Sequence, residues 1–344
     1  MPARLVYDLA YSDISTLFQS WDEPPYRALQ FWQGLYKRFW DSPELFTDLP
    51  ANLRNKIAEE LLFTVLLPDI VLQSSDKQTT KTLFKLHDGR AIETVLMRYD
   101  KRNTLCISTQ VGCAMGCVFC ATGQMGFRRH LSSGEIVAQV MFYAGQLHKE
   151  GNKLTNVVLM GMGEPLHNYK NTLAAIDQLN DPQGYNFGAR RFTISTVGLV
   201  PAIRRFAAEK RQVNLAISLH AAEDSLRTSM LPINKSYPLD EILDACKEYI
   251  QATGRRITFE WALIHDVNDT QEQAHLLVGR LKGLLCHVNV IPLNPTKGYS
   301  GLATTIQQAN EFKSILIAAG IPCTVRLRRG MDIQAGCGQL ASNV

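Results

Sequence analysis

The sequence predicts an α/β protein whose larger part is a parallel sheet closed or partly closed into a barrel. Three observations carry this. After residue 100, apolar strand-like runs alternate with helix-length segments, in TLCIST (104–109), NVVLMG (156–161), RFTIST (191–196), VNLAISL (213–219), ITFEWALI (257–264) and HVNVIPL (287–293). Before residue 66, apolar residues recur at helical spacing in Tyr26–Trp40 and Leu53–Val65. Between Ile70 and Tyr99 the period shortens to that of extended chain, with a His87-Asp88-Gly89 turn between the last two runs.

These patterns divide the chain into a helical part (1–65), a linking β segment (66–100), the barrel (101–325) and a C-terminal loop (326–344). The helices between barrel strands are read in LSSGEIVAQVMFYAGQL, NTLAAIDQL, YPLDEILDACKEYI and TQEQAHLLVGRLKGLL. In such folds the chemistry gathers at the C-terminal ends of the strands.

With 46% apolar and 20% charged residues, the 344-residue chain has the composition of a globular protein. No apolar run approaches the ~20 residues that span a bilayer, and the start MPARLVYDLAYSD lacks a signal-peptide layout, so a cytoplasmic protein with no membrane partner is expected. Eight cysteines without an export signal point to metal binding, catalysis or burial rather than to a disulfide framework. The formal charge of +4 is modest, but the positive residues are clumped, notably in Arg128-Arg129-His130 and in Arg326, Arg328 and Arg329. Taken singly, each clump reads as a solvated face.

Cys113, Cys117 and Cys120 form C-x3-C-x2-C directly after the first barrel strand. Three thiolates on a cubane of four irons leave one iron open for a substrate ligand. Zinc is the competing metal; a structural site wants four ligands, which His130 would have to complete. Gly161-Met162-Gly163-Glu164-Pro165 follows the next strand; its glycines permit close backbone approach to a ligand, and Glu164 complements an ammonium. Cys246, Cys286 and Cys323 lie in apolar strands or helices and read as core. Cys337, between Gly336 and Gly338, reads as a mobile, accessible thiol.

The cysteine triad with Phe119 inside it, GMGEPL, AISLHA at 216–221, IPLNP at 291–295, the GCGQL tail and the N-terminal EPPYRALQFWQGLYKR together resemble the RlmN/Cfr family of radical S-adenosylmethionine (SAM) RNA adenine methyltransferases. The resemblance runs over nearly the whole chain. It implies a partial (β/α)6 radical SAM barrel with a small N-terminal helical RNA-binding domain. It implies one 4Fe-4S cluster on Cys113, Cys117 and Cys120, and two SAM molecules per turnover, contacted by Gly163, Glu164, Ser195, Ser218, Leu219, His220 and Asn294.

The family chemistry explains the extra cysteines. Adenine C2 is electrophilic, so one SAM methylates Cys337 at sulfur. A second SAM yields a 5′-deoxyadenosyl radical that takes hydrogen from that methyl group, and the resulting carbon radical adds to the base. Cys106, which otherwise reads as a buried strand residue, is implied to free the product through a transient disulfide with Cys337. Glu93, otherwise a polar residue in an alternating strand, is implied to accept the ring proton. The implied partners are 23S rRNA, transfer RNA and a flavodoxin or ferredoxin electron donor, with a monomeric enzyme.

Two rivals carry different outcomes: methylation at C8 of adenine, the Cfr outcome with the same cysteines, and a metal-stabilised RNA-binding module without catalysis. Pro165 and EPPYRALQ lie on the RlmN side. The tail departs from the family's usual Asp-Ala-Ala, reading Gln334-Ala335-Gly336, with a changed loop set or thiol pKa as the expected effect. The Arg128-Arg129-His130 and Arg326, Arg328, Arg329 groups are expected to border the mouth where RNA enters.

Overall fold

The computed structural model describes residues 4–326 and 328–341; residues 1–3, Leu327 and residues 342–344, the last four within the expected C-terminal loop, lie outside the described residues. The N-terminal part is helical. A short strand β1 (Arg4–Leu5) leads to α1 (Tyr11–Ser20), α2 (Pro25–Lys37) and α3 (Ala51–Glu60), and β2 (Leu61–Leu62) returns to pair with β1 in parallel. Pro25 at the first position of α2 gives up an amide that has no helical partner there, and Ala28, Phe31, Trp32 and Leu35 form its buried stripe. The expected Leu53–Val65 helix ends at Glu60 because Leu61 and Leu62 are drawn into pairing with β1. This unit is fastened to the barrel: Gln178 Nε2 donates to the Tyr7 and Leu9 carbonyl oxygens, and Asp8 Oδ1 accepts from the Gly134 amide.

Three antiparallel strands follow, β3 (Leu67–Gln73), β4 (Thr79–Lys85) and β5 (Ala91–Tyr99), with Gly89 at φ 79° in the turn between the last two. β6 (Arg102–Cys106) pairs with β5 on one side, antiparallel, and with β9 (Asn156–Leu159) on the other, parallel. The linking segment is therefore continuous with the barrel sheet rather than a separate small sheet. Between β6 and β9 lie β7 (Gln110–Gly112), the short helix α4 (Ala121–Gln124), β8 (Phe127–His130) and α5 (Ser133–Lys149). β7 and β8 pair antiparallel and bracket the cysteine loop.

The barrel continues through α6 (Tyr169–Asn180), β10 (Phe192–Thr196), α7 (Val200–Ala208), β11 (Asn214–Ser218), α8 (Asp224–Met230), α9 (Leu239–Thr253), β12 (Ile257–Leu263), α10 (Gln271–Leu281), β13 (Cys286–Pro292), α11 (Ile306–Ala318) and β14 (Cys323–Val325). The strands form one ten-stranded sheet in the order β14-β13-β12-β11-β10-β9-β6-β5-β4-β3. From β6 to β14 every neighbouring pair is parallel. The six expected strands are present, and β14 adds a short seventh at the edge. Cys246, Cys286 and Cys323 are buried, as their apolar settings require. No helix of the described residues is long and apolar enough to cross a membrane.

Candidate active site

One deep cavity opens at the C-terminal ends of the parallel strands, and Cys106, Cys113, Cys117, Cys120, Gly163, Glu164, Ser195, Ser218, His220, Asn294 and Cys337 all line it. Cys106 ends β6, Ser195 and Ser218 lie at the ends of β10 and β11, and the others sit in the loops after strands. Leu219 lies beside them as fully buried packing, its amide bonded to the Glu260 carbonyl.

The cysteine loop offers three thiols to this space. Burial pushes the Cys113 thiol up to about 12 and holds the Cys117 thiol well above its ordinary value, and the neighbouring thiols raise both further. A bound metal would draw such buried thiols into the thiolate form. Among the described residues their three sulfur atoms do not all come within 4.8 Å of one another. One zinc ion with Zn–S bonds of about 2.3 Å would draw its sulfurs to roughly 3.8 Å apart. A cubane holds its thiolates at separate corners and fits the wider spacing. His130, the fourth ligand a zinc site would need, is turned elsewhere: its Nδ1 lies 3.0 Å from Gln110 Nε2.

The GMGEP loop is shaped by close backbone approach. A Cβ on Gly161 would meet the Ile107 carbonyl oxygen at 2.6 Å, and one on Gly163, at φ 102°, would meet Gln110 at 2.5 Å. Only glycine fits either place. Glu164 is buried with its carboxylate accepting from the Leu166 and Val197 amides at 3.0 and 2.9 Å. Burial nonetheless raises its pKa to about 7, and the backbone donors only partly offset this. A buried carboxylate on the cavity wall fits an ammonium. Asn294 lines the same cavity, and its Oδ1 is buried without a hydrogen-bond partner. These residues, with Ser195 Oγ and Ser218 Oγ 3.4 Å apart, are a donor and acceptor set that fits the amino-acid end of SAM beside the cluster cysteines.

His220 is held at φ 62°, with Nδ1 accepting from the Ala262 amide at 2.9 Å and its ring against the edge of Phe119 at 5.0 Å. Burial drives its pKa down to about 3, so it is neutral and carries its proton on Nε2.

Two thiols complete the cavity. Cys106 accepts from the Met160 amide, and burial raises its pKa to about 12. Cys337 is open to solvent through the cavity yet walled by protein; burial lifts its thiol to about 12, and Cys106, Cys120 and Glu260 raise it further by their nearby charge. The Cys337 loop is well fastened: Asn294 Nδ2 donates to the Cys337 carbonyl at 3.0 Å, the Ala121 amide to Gly338 at 2.7 Å, and Thr122 Oγ1 to Leu340 at 2.6 Å. The expected mobile thiol is thus docked in this structure. Gly336 lets the loop approach Asn294 closely: a Cβ there would come within 2.6 Å of Asn294 Nδ2, so the Asn294 side chain would have to shift. Gln334 takes a left-handed φ of 51° with its side chain exposed.

Glu93 is held by partners that the alternating strand pattern does not show. It is buried but does not line the cavity; Lys81 Nζ lies 3.0 Å from its Oε1, and its Oε2 accepts from the Ala341 amide at 2.8 Å. In this arrangement both carboxylate oxygens are engaged. Arg129 is withdrawn from its expected place: it is paired with Asp88 and Glu135 at 2.6 and 2.7 Å and does not border the cavity. Arg326, Arg328 and Arg329 do border it, with Arg102. Tyr99 stands between Arg102 and Arg329, each guanidinium 4.2 Å from the ring centroid.

Residues 107–278 match the model of the Radical SAM superfamily, and residues 6–62 match that of the ribosomal RNA large subunit methyltransferase N-terminal domain. The dual-specificity RNA methyltransferase RlmN 1 of Myxococcus xanthus is 49% identical over 339 residues, covering 98% of this chain and 94% of the relative. The chain belongs to the RlmN family of radical SAM RNA methyltransferases. A probable RlmN of Chloroflexus aurantiacus is 46% identical over 99% of this chain and 93% of its own. The crystal structure of a radical SAM methyltransferase from Sphaerobacter thermophilus superposes with a TM-score of 0.96 at 48% identity, covering 98% of this chain and 99% of that one. The superfamily implies SAM and a 4Fe-4S cluster for this RlmN-family chain, and the residues described above fit both.

Two functional-looking residues escape the sequence reading, one lining this RlmN-family cavity and one fully buried outside its lining. Glu260 sits in the middle of β12, buried, accepting from Asn289 Nδ2 at 2.9 Å. Arg227 is fully buried behind Cys117, donating to the Leu219, Val197 and Ser218 carbonyls and to Asn234 Oδ1. A lone glutamate inside the otherwise apolar run ITFEWALI was the available signal for the first. Arg227, in the polar segment DSLRTSM, gave none.

Proposed function

We propose that this RlmN-family enzyme methylates C2 of adenosine in 23S rRNA, and in transfer RNA the adenosine 3′ of the anticodon. The observation that carries the reading is the convergence, in one cavity, of the Cys113, Cys117 and Cys120 triad with two further thiols, Cys106 and Cys337. Methylation of a nucleophilic ring atom would need neither of the extra thiols. In this reading Cys113, Cys117 and Cys120 hold the cluster. Gly163, Glu164, Ser195, Ser218, His220 and Asn294 hold SAM, with Leu219 supporting them from the core. When bound, the cluster supplies the reducing electron, from a flavodoxin or ferredoxin, while SAM, two per turnover, supplies the methyl group and the hydrogen-abstracting radical.

The chain's own groups do the rest. Cys337 Sγ loses its proton and accepts the methyl group, and the docked loop presents it to the cavity. Glu93 accepts the ring proton, and Cys106, on a strand held from both sides, attacks Cys337 Sγ: the disulfide forms as the bond from that sulfur to the new methyl carbon breaks, and the carbon takes a proton as the methylated base is released. The enzyme acts as a monomer.

The test is reaction of the reconstituted enzyme with rRNA and tRNA substrates, then mass spectrometry of the nucleosides. 2-Methyladenosine is expected; 8-methyladenosine, or no methylated adenosine from an enzyme with an intact cluster, overturns the reading. Cys337→Ala should abolish methylation with the cluster retained, and Cys106→Ala should accumulate a covalent enzyme–RNA adduct.

A further inference from the structure

The paired basic residues that read singly as solvated faces come together at one end of the barrel. Parallel strands all start at the same end, and Lys101-Arg102, Arg190-Arg191, Lys210-Arg211 and Arg255-Arg256 stand at or just ahead of the starts of β6, β10, β11 and β12. Arg211 is neutralised there by Asp177 and Glu209. Arg190 and Arg255 have only uncharged partners among the described residues. Arg190 Nε and Nη2 donate to Gln212 Oε1 at 3.3 and 3.2 Å, and Arg255 Nη1 donates to that same oxygen at 3.2 Å. Arg255 Nη2 donates to Asn214 Oδ1 at 2.6 Å, while its Nε is buried without a partner.

Two guanidiniums that converge on one neutral oxygen repel each other, and a phosphate placed against them would relieve the repulsion and take up the spare donors. Helix dipoles do favour cations near helix C-terminal ends. Yet the donors of Arg190 and Arg255 go to the side chains of Gln212 and Asn214, not to terminal helix carbonyls. The charge is also continuous with the arginine rim of the cavity. Arg102, at the start of β6, itself lines the cavity, and Tyr99 joins it to Arg329. On the other side, burial lowers the pKa of His287, and Arg256 and Arg326 lower it further, so both guanidiniums stand near one ring.

We propose that the end of the barrel where the parallel strands start is a second RNA-docking surface, on which Arg190 and Arg255 hold backbone phosphates of the substrate. This rests on the enzyme acting on RNA, not on which carbon it methylates. Strands about 4.8 Å apart spread the basic pairs over successive loops, which makes a track for a chain of phosphates rather than a point for one anion. An acidic protein partner would want an apolar centre inside the charge, and basic residues fill this end instead.

The experiment is filter binding of full-length, cluster-reconstituted enzyme to transcribed 23S rRNA and tRNA over a series of salt concentrations. The double variant Arg190→Ala with Arg255→Ala should bind more weakly and lower the slope of log affinity against log salt by about two. Arg190→Lys with Arg255→Lys keeps the charges and should hold the wild-type slope, with some affinity lost because the planar fork is gone. Arg204→Ala is the control: Arg204 is exposed but paired with Glu248, and its loss should leave the slope unchanged. Wild-type affinity and slope in the double alanine variant overturn the proposal. So does a double lysine variant whose slope falls as far as that of the alanine variant, since the effect would then be structural and not one of charge. Unchanged RNA binding with slower reduction of the cluster by flavodoxin also overturns it, and assigns this end to the acidic electron donor. A product of 8-methyladenosine would sink the C2 reading and leave the binding comparison standing.

Discussion

Asn294 donates from Nδ2 to the Cys337 carbonyl at 3.0 Å while its own buried Oδ1 has no protein partner. One amide thus holds the Cys337 loop with its donor while its acceptor is left unsatisfied in the cavity wall. Asn294→Ala should lower RNA methylation about tenfold or more, the loss of one bond and one ligand acceptor, with cluster absorbance unchanged. Asn294→Asp, which turns an oxygen toward the Cys337 carbonyl, should do no better than alanine. Steady-state methylation with saturating RNA checks both.

Glu164 gives a pH dependence. Its carboxyl is raised to about 7 by burial, so the ligand-free protein carries it protonated below that pH and charged above. An ammonium needs the charged form. SAM affinity should therefore weaken as pH falls through about 7, and Glu164→Gln should both weaken binding and flatten the slope. By the same sign, this raised carboxyl favours the ligand-free fold at low pH, and that contribution is lost as pH rises through about 7. Equilibrium SAM binding across pH 5.5 to 8.5, roughly one and a half units either side of that midpoint, checks the first point.

Arg227 tests stability. Its guanidinium is buried and bonded to three carbonyls and Asn234 Oδ1. Arg227→Met strands those acceptors and should destabilise the fold by about 3 kcal/mol, read from denaturant midpoints on cluster-free protein. Arg227→Lys, lacking the planar fork, should recover only part of it.

The rim tests RNA contact. Arg328 is exposed at the cavity mouth, whereas Arg129 is neutralised by Asp88 and Glu135. Arg328→Ala should weaken RNA binding and reduce the slope of affinity against salt by about one. Arg129→Ala should leave that slope unchanged. Filter binding at several salt concentrations separates the two.

The strands were legible because buried parallel strands read as apolar runs between helix-length segments, and the loop motifs followed from their position after those runs. GMGEP was readable for the same reason: two glycines after a strand imply backbone pressed on something, and Ile107 and Gln110 are what they press on. What stayed hidden depends on partners distant in sequence. Lys81 and Glu93 look like ordinary polar positions of alternating strands until the β4–β5 register makes them diagonal neighbours and the tail returns to them from residues 334 and 341. Arg129 looked like a free basic residue because Asp88 and Glu135 come from other elements. The fusion of β5 with β6 was hidden too, since nothing in either run states which strand it will pair with.

That fusion bears on Cys106. Its strand is paired to Val95 on the antiparallel side and Val158 on the parallel side, so it lies on the seam where the two halves of the sheet meet. A thiol clamped on both flanks has almost no travel of its own. Any bond it makes with Cys337 is therefore made by the loop coming to it, and the loop, once bonded, is moored to a strand paired along both edges. In the proposed mechanism, release of product and re-seating of the loop would then be a single mechanical event, with all of the motion on one side.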